Sequence, residues 1–145
     1  MSTWYRVFAK NNIEPDPDAL CAVMGSEISC QCRAGERGWQ RLQFAWPSGQ
    51  TLAIDRFWRD EEGIRAELQA WAAWLETLEN EPKRDALMQH LTATQQVFTM
   101  LRESSNDPIA LKLCEAIAWT TDGVYEIDKL GFFSHDGTLL ALEGE

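Results

Sequence analysis

Four kinds of side chain in this 145-residue sequence are placed where they could do chemistry: thiols, histidines, clustered carboxylates and arginine–tryptophan pairs. Cys30 and Cys32, one residue apart on an expected strand, point both sulfurs to the face shared with Ile28. Zinc sites space two cysteines by two to four residues on a turn and need two further ligands. Cys21, Cys114, His90 and His135 could join them only through the fold. Free cysteine is among the most buried residue types, so all four read as small apolar side chains. No metal and no cofactor is expected. Ser134-His135-Asp136 has the letters of a hydrolase triad, but a triad is assembled from separate elements so that the imidazole reaches both partners. Asp136 is better explained by the Asp-Gly turn, and His90, in a helix, reads as exposed or as a satisfied core histidine.

The carboxylate clusters are Glu61/Glu62, Glu76/Glu79/Glu81 and Glu126/Asp128. A general acid needs a desolvated carboxyl with a raised pKa. These lie among polar neighbours and read as solvated faces. No glycine-rich phosphate loop, HExxH, GxSxG or EF-hand string is present, so no catalytic residue is assigned.

The seven tryptophans are more informative. Trp46, Trp71 and Trp119 fit core positions by periodicity, whereas Trp4, Trp39, Trp58 and Trp74 are harder to bury. Trp39 is expected on the outward hairpin face with Arg41, and Arg33 outward on the neighbouring strand. Arg6 shares a face with Trp4, and Arg56 and Arg59 bracket Trp58. Trp and Arg are common hot-spot residues of protein interfaces. They also stack on single-stranded bases. Arginine stems can equally lie over half-buried indoles as packing. The candidate partner-binding set is Trp4, Arg6, Arg33, Trp39, Arg41 and Trp58.

The elements that must position these groups follow from pattern. Trp4 to Ala9 alternates as a strand, and Asp16-Pro17 starts a short helix that Gly25 stops. Glu27 to Arg33 alternates again. Trp39–Trp46 and Gln50–Trp58 form a hairpin about Pro47-Ser48-Gly49, with Leu42 opposite Ile54, Phe44 opposite Leu52 and Arg41 opposite Asp55. Three long helices are expected next. The first opens at Asp60-Glu61-Glu62 and breaks at Asn80-Glu81-Pro82. The second spans 84–103 with Leu87, Leu91, Phe98 and Leu101 inward. The third spans 109–121, is apolar nearly all round, and should be the most enclosed. Val124–Ile127 and a hairpin about Asp136-Gly137 complete the chain. The order β-α-β-β-β-α-α-α-β-β-β is α+β, a single domain with helices on one face of a largely antiparallel sheet.

Composition agrees with one globular domain: 45% hydrophobic, 25% charged, net charge −10. Such acidity argues against duplex nucleic acid, whose binding rests on Lys and Arg neutralising phosphates. The deficit is uneven. Residues 1–59 hold seven basic against six acidic side chains, and 60–145 hold six against seventeen. No run approaches the ~20 apolar residues of a membrane span, and no signal peptide is visible, so a cytoplasmic protein with reduced thiols is expected. The strings Asp60-Glu61-Glu62-Gly63-Ile64-Arg65-Ala66-Glu67-Leu68 and Thr121-Asp122-Gly123-Val124-Tyr125-Glu126-Ile127-Asp128 resemble parts of small bacterial proteins of unassigned function. That resemblance implies a bacterial origin and no activity. The expected function is a non-enzymatic protein-interaction module — adaptor, inhibitor or immunity-type binder — for which a homodimer is compatible. The alternative is an enzyme or small-molecule binder with a cleft between sheet and helices.

Overall fold

A computed structural model describes residues 2–25, 27–79 and 81–143. The element order is β1 (Thr3–Ala9), α1 (Pro17–Met24), β2 (Ser29–Gly35), β3 (Gly38–Ala45), β4 (Thr51–Trp58), α2 (Glu62–Glu76), α3 (Arg84–Ala93), β5 (Gln96–Arg102), α4 (Pro108–Thr121), β6 (Gly123–Ile127), β7 (Gly131–Ser134) and β8 (Leu139–Leu142). The eight strands join one sheet in the order β2-β3-β4-β5-β1-β6-β7-β8, and every pairing is antiparallel. This is a single α+β domain. No helix among the described residues is long and apolar enough to cross a membrane.

Local chemistry sets the helix ends. Asp16 accepts from the Asp18 backbone N–H ahead of Pro17, and Asp107 accepts from Ile109 and Ala110 ahead of Pro108. Both satisfy orphan donors of a first turn while proline supplies a residue that needs none. The central hairpin has the expected register, with Arg41 opposite Asp55, Leu42 opposite Ile54 and Phe44 opposite Leu52. Those four apolar residues are buried in the core shared with α1 and α4. Asn80, the first residue of the expected helix break, lies outside the described residues.

Two expectations need correction. Residues 84–103 are not one helix: α3 stops at Ala93, and 96–102 form the strand that joins β4 to β1. The helical stripe fails at Thr94 and Gln95, both polar where a further apolar turn was needed. The following Val97, Phe98, Thr99 and Met100 are all buried, because a central strand is covered on both faces and shows no alternation. Nor do the helices share one face. Tyr5, Val7 and Ala9 of β1 pack with α1 and α4, while Phe8 packs with α2 and α3 on the opposite face. The period-2 geometry of the strand separates these sets, so the sheet lies between two helical layers.

Candidate functional site

The six candidate residues do not form one surface. Trp39 is 2% exposed and packs in the α1/α4 core, not beside Arg41. Its face is reversed by a bulge: Arg33 pairs with Arg41 but Ala34 pairs with Trp39, leaving Gln40 as an extra residue in β3. One inserted residue turns every earlier side chain to the other face. The Trp39 indole N–H donates to the Pro15 carbonyl at 2.9 Å, and its ring lies 5.6 Å from that of Phe98. Gly38, at φ +102°, stands where a Cβ would overlap the Glu14 carboxylate. That carboxylate accepts from the Trp39 backbone N–H at 2.9 Å and from Arg56 at 2.7 Å.

Trp58 is also held by packing. The Arg56 guanidinium lies 4.9 Å from its ring centre and that of Arg37 lies 5.5 Å away. Arg56 is buried, with Nε donating to Gln96 and Nη1 to Glu14 and the Trp39 carbonyl. Arg59 caps the carbonyl end of α3 through Thr92 and Thr94 instead of flanking Trp58 as a free cation. Here arginine–indole stacking is structural.

Trp4, Arg6, Arg33 and Arg41 remain on one face, and strand register shows how. One transverse row runs Arg33–Arg41–Asp55–Thr99–Arg6–Glu126. The next row toward the sheet end runs Gln31–Gln43–Ala53–Leu101–Trp4–Asp128, extended from the same registers. Gln31, Arg33 and Gln43 are exposed, as are Leu101 at 47% and Trp4 at 39%, so this end of the face is open. Arg41 pairs loosely with Asp55 at 3.4 Å, and Arg33 has no ion pair among the described residues.

Where the row passes under α2 it becomes a charge cluster. The Arg6 Nε donates to Glu67 at 2.8 Å, and Nη1 donates to Glu126 at 2.8 Å and Asp128 at 2.5 Å. The guanidinium also lies 5.8 Å from the Trp4 ring and 5.7 Å from that of Trp71. Glu126 is 0% exposed. Burial first, and then the Glu143 carboxyl beside it, push its pKa up to about 10 against the pull of Arg6. The reading of Glu126/Asp128 as a solvated face is therefore wrong. Glu126 lies on a strand of five residues, all buried, so no alternation in the sequence marks it as enclosed.

The other chemistry-bearing groups are quiet. Cys114 is buried, Cys21 and Cys30 half-buried and Cys32 exposed, all as thiols, so Cys32 is not the buried side chain expected. Burial, then the Cys21 and Cys32 thiols, push Cys30 up to about 11, which suppresses the reactive thiolate. His135 packs edge-on against Trp119 at 4.5 Å. Trp119 is itself 71% exposed despite its place on the apolar α4, because α4 presents that position away from both sheet and α1. The His90 Nε2 lies 2.9 Å from the Phe8 carbonyl, to which it donates, and burial lowers its pKa. It borders an open groove of about 600 Å³ that is also lined by Lys10, Lys83, Leu87, Val124 and Leu140. No protein-family model, curated relative or solved structure matches the chain, so the geometry above stands without a family to interpret it.

Proposed function

We propose that the chain is a non-enzymatic interaction module that binds an acidic surface of another protein across the open end of its sheet. The observation that carries this reading is the exposed Trp4–Leu101 pair, adjacent across β1 and β5, beside the row that bears Arg33 and Arg41. Apolar anchors flanked by arginine are the composition of interface hot spots. The arginines supply charge opposite to an acidic partner, whereas the remaining surface of a chain of net charge −10 would repel one. Trp39 and Trp58 take no part.

Capture of a partner from the native cell, quantified for wild type and folded variants, tests this. Trp4→Ala with Leu101→Ala is expected to abolish capture, since central anchors commonly cost roughly 2 kcal/mol or more each. Arg33→Glu with Arg41→Glu should reduce it at least tenfold. Glu76→Gln with Glu79→Gln, exposed at the C-terminal end of α2 and just beyond it, should change it less than twofold. Tighter capture by the Arg→Glu variant would mean a basic partner, and loss only with the Glu→Gln pair would move the surface to the helices. The second reading, a ligand in a cleft between sheet and helices, has its best place in the groove beside His90, where Lys10 and Lys83 add positive charge. Loss of function on Lys83→Ala alone would favour it.

A further inference from the structure

We propose that Glu126, Asp128 and Glu143 form a binding site for one hard divalent cation, of the calcium, manganese or magnesium class. The three residues come from the end of β6, the β6–β7 turn and the segment after β8. One carboxylate oxygen from each lies within 4.8 Å of the other two. Such cations sit about 2.0–2.6 Å from each oxygen ligand, so oxygens up to roughly 5 Å apart can share one ion without rearrangement. An all-carboxylate set selects hard cations over zinc or copper.

The backbone pins the three positions. Asp128 N–H donates to the Trp4 carbonyl at 3.1 Å, and Glu143 N–H to the Leu130 carbonyl at 3.1 Å. Lys129 N–H donates to Glu143 Oε1 at 3.2 Å, which ties the turn to the segment after β8. Gly131, at φ +146°, lets β7 approach β8 so closely that a Cβ would stand 2.1 Å from the Ala141 carbonyl oxygen. The site is therefore formed by the hairpin itself.

An independent observation points to a ligand. Glu126 Oε2 and Glu143 Oε2 are both shielded from water and have no hydrogen-bond partner among the described residues. Two acceptor oxygens facing each other out of water are unfavourable unless something positive lies between them. Arg6 does not meet this need: its Nε donates to Glu67 and its Nη1 to Glu126 Oε1 and Asp128 Oδ1, and it bonds neither free oxygen. Three carboxylates thus share one guanidinium, and Glu143, which it does not touch, adds a fourth negative charge beside them. A single proton between Glu126 and Glu143 would leave three negative charges on Arg6, whereas a divalent ion cancels two of the four and uses both free oxygens. The partly exposed Asp128 opens the site to solvent, so water can complete the coordination shell.

The test uses the full chain after treatment with chelator. Calcium, manganese and magnesium chlorides are titrated separately at pH 8 by calorimetry, with melting temperature and manganese resonance broadening as second readouts. We expect one ion per chain, a Kd in the micromolar to sub-millimolar range and a rise in melting temperature. Glu143→Gln and Asp128→Asn should each weaken binding at least tenfold, and Glu126→Gln more. Glu36→Gln, exposed in the β2–β3 turn at the opposite edge of the sheet, should change Kd less than threefold. Absence of binding by all three ions up to 10 mM in folded wild type would overturn the proposal and leave a carboxyl pair sharing a proton. Binding that Glu143→Gln and Asp128→Asn leave unchanged would overturn it too. Should Glu126→Gln fail to fold, those two variants decide.

Discussion

Replacing Trp39 by alanine is expected to cost about 3–5 kcal/mol of folding stability, the range for truncating a buried aromatic. The chain's whole stability is of order 5–15 kcal/mol, so the variant should be marginal at 37 °C. Three losses combine. The indole fills core space against Phe98, with its N–H on the Pro15 carbonyl. Its face lies 5.3 Å from the buried Arg56 guanidinium, and a desolvated cation–π contact is worth ~2 kcal/mol. Truncation also opens the loop carrying Glu14, the counter-ion of Arg56. Trp119→Ala makes the control: at 71% exposure it should stay within about 0.5 kcal/mol of the parent. Urea unfolding of both measures the contrast. A Trp39→Ala loss under about 1 kcal/mol would mean the bulge at Gln40 does not turn this indole inward.

That contrast reverses what periodicity alone suggests, and the reason is specific. Alternation is legible in sequence only while a strand keeps its register. The β3–β4 register could be read because its apolar sets agree on both strands. The Gln40 bulge leaves no compositional mark, so alternation alone places Trp39 on the outer face. Strand β5 was hidden for a different reason. Its neighbours cover both faces, so Val97–Met100 continued an apolar run that helical spacing from Leu87 and Leu91 fitted tolerably. The caps at Asp16 and Asp107 and the Asp136-Gly137 turn were legible because each depends on a few adjacent residues. The open-face members Trp4, Arg33 and Arg41 were found by alternation. The Arg6 cluster was not, since it needs β1, α2, β6 and the segment after β8 to converge, and only topology brings residues 6, 67, 126 and 143 together.

That convergence gives the second large effect: in the presence of chelator, the protein should lose stability as pH rises from 7 to 9. The Glu126 carboxyl titrates near 4.5 in an open chain and near 10 in the fold, because burial, and then Glu143, penalise its charge. Between those values the folded chain holds a proton that the unfolded chain has released. Its contribution is therefore complete below pH 4.5 and is lost as pH climbs through 10, with a slope of up to about 1.4 kcal/mol per unit. The charged groups around it are Arg6 from β1, Glu67 from α2, and Asp128 and Glu143 at the turn and chain end. The Cys21, Cys30 and Cys114 thiols, raised chiefly by burial, add a loss of the same sign only as pH nears the ordinary thiol value of 9.0, so Glu126 sets the slope between pH 7 and 8. His90, lowered by burial, removes stability only as pH falls through its ordinary 6.5, and Asp107, lowered chiefly by Arg102 against its burial, only near the carboxylate range. Glu126→Gln keeps the side-chain shape, offers Arg6 an acceptor oxygen and gives Glu143 an amide donor. It should flatten the profile and exceed the parent at pH 9 by 1 kcal/mol or more, on the order expected for one proton over the interval. Urea unfolding at pH 6, 7, 8 and 9 reads the slopes directly. A parent profile that is flat from 7 to 9, or that rises, would mean Glu126 is ionised in the folded chain, with Arg6 alone outweighing both burial and Glu143.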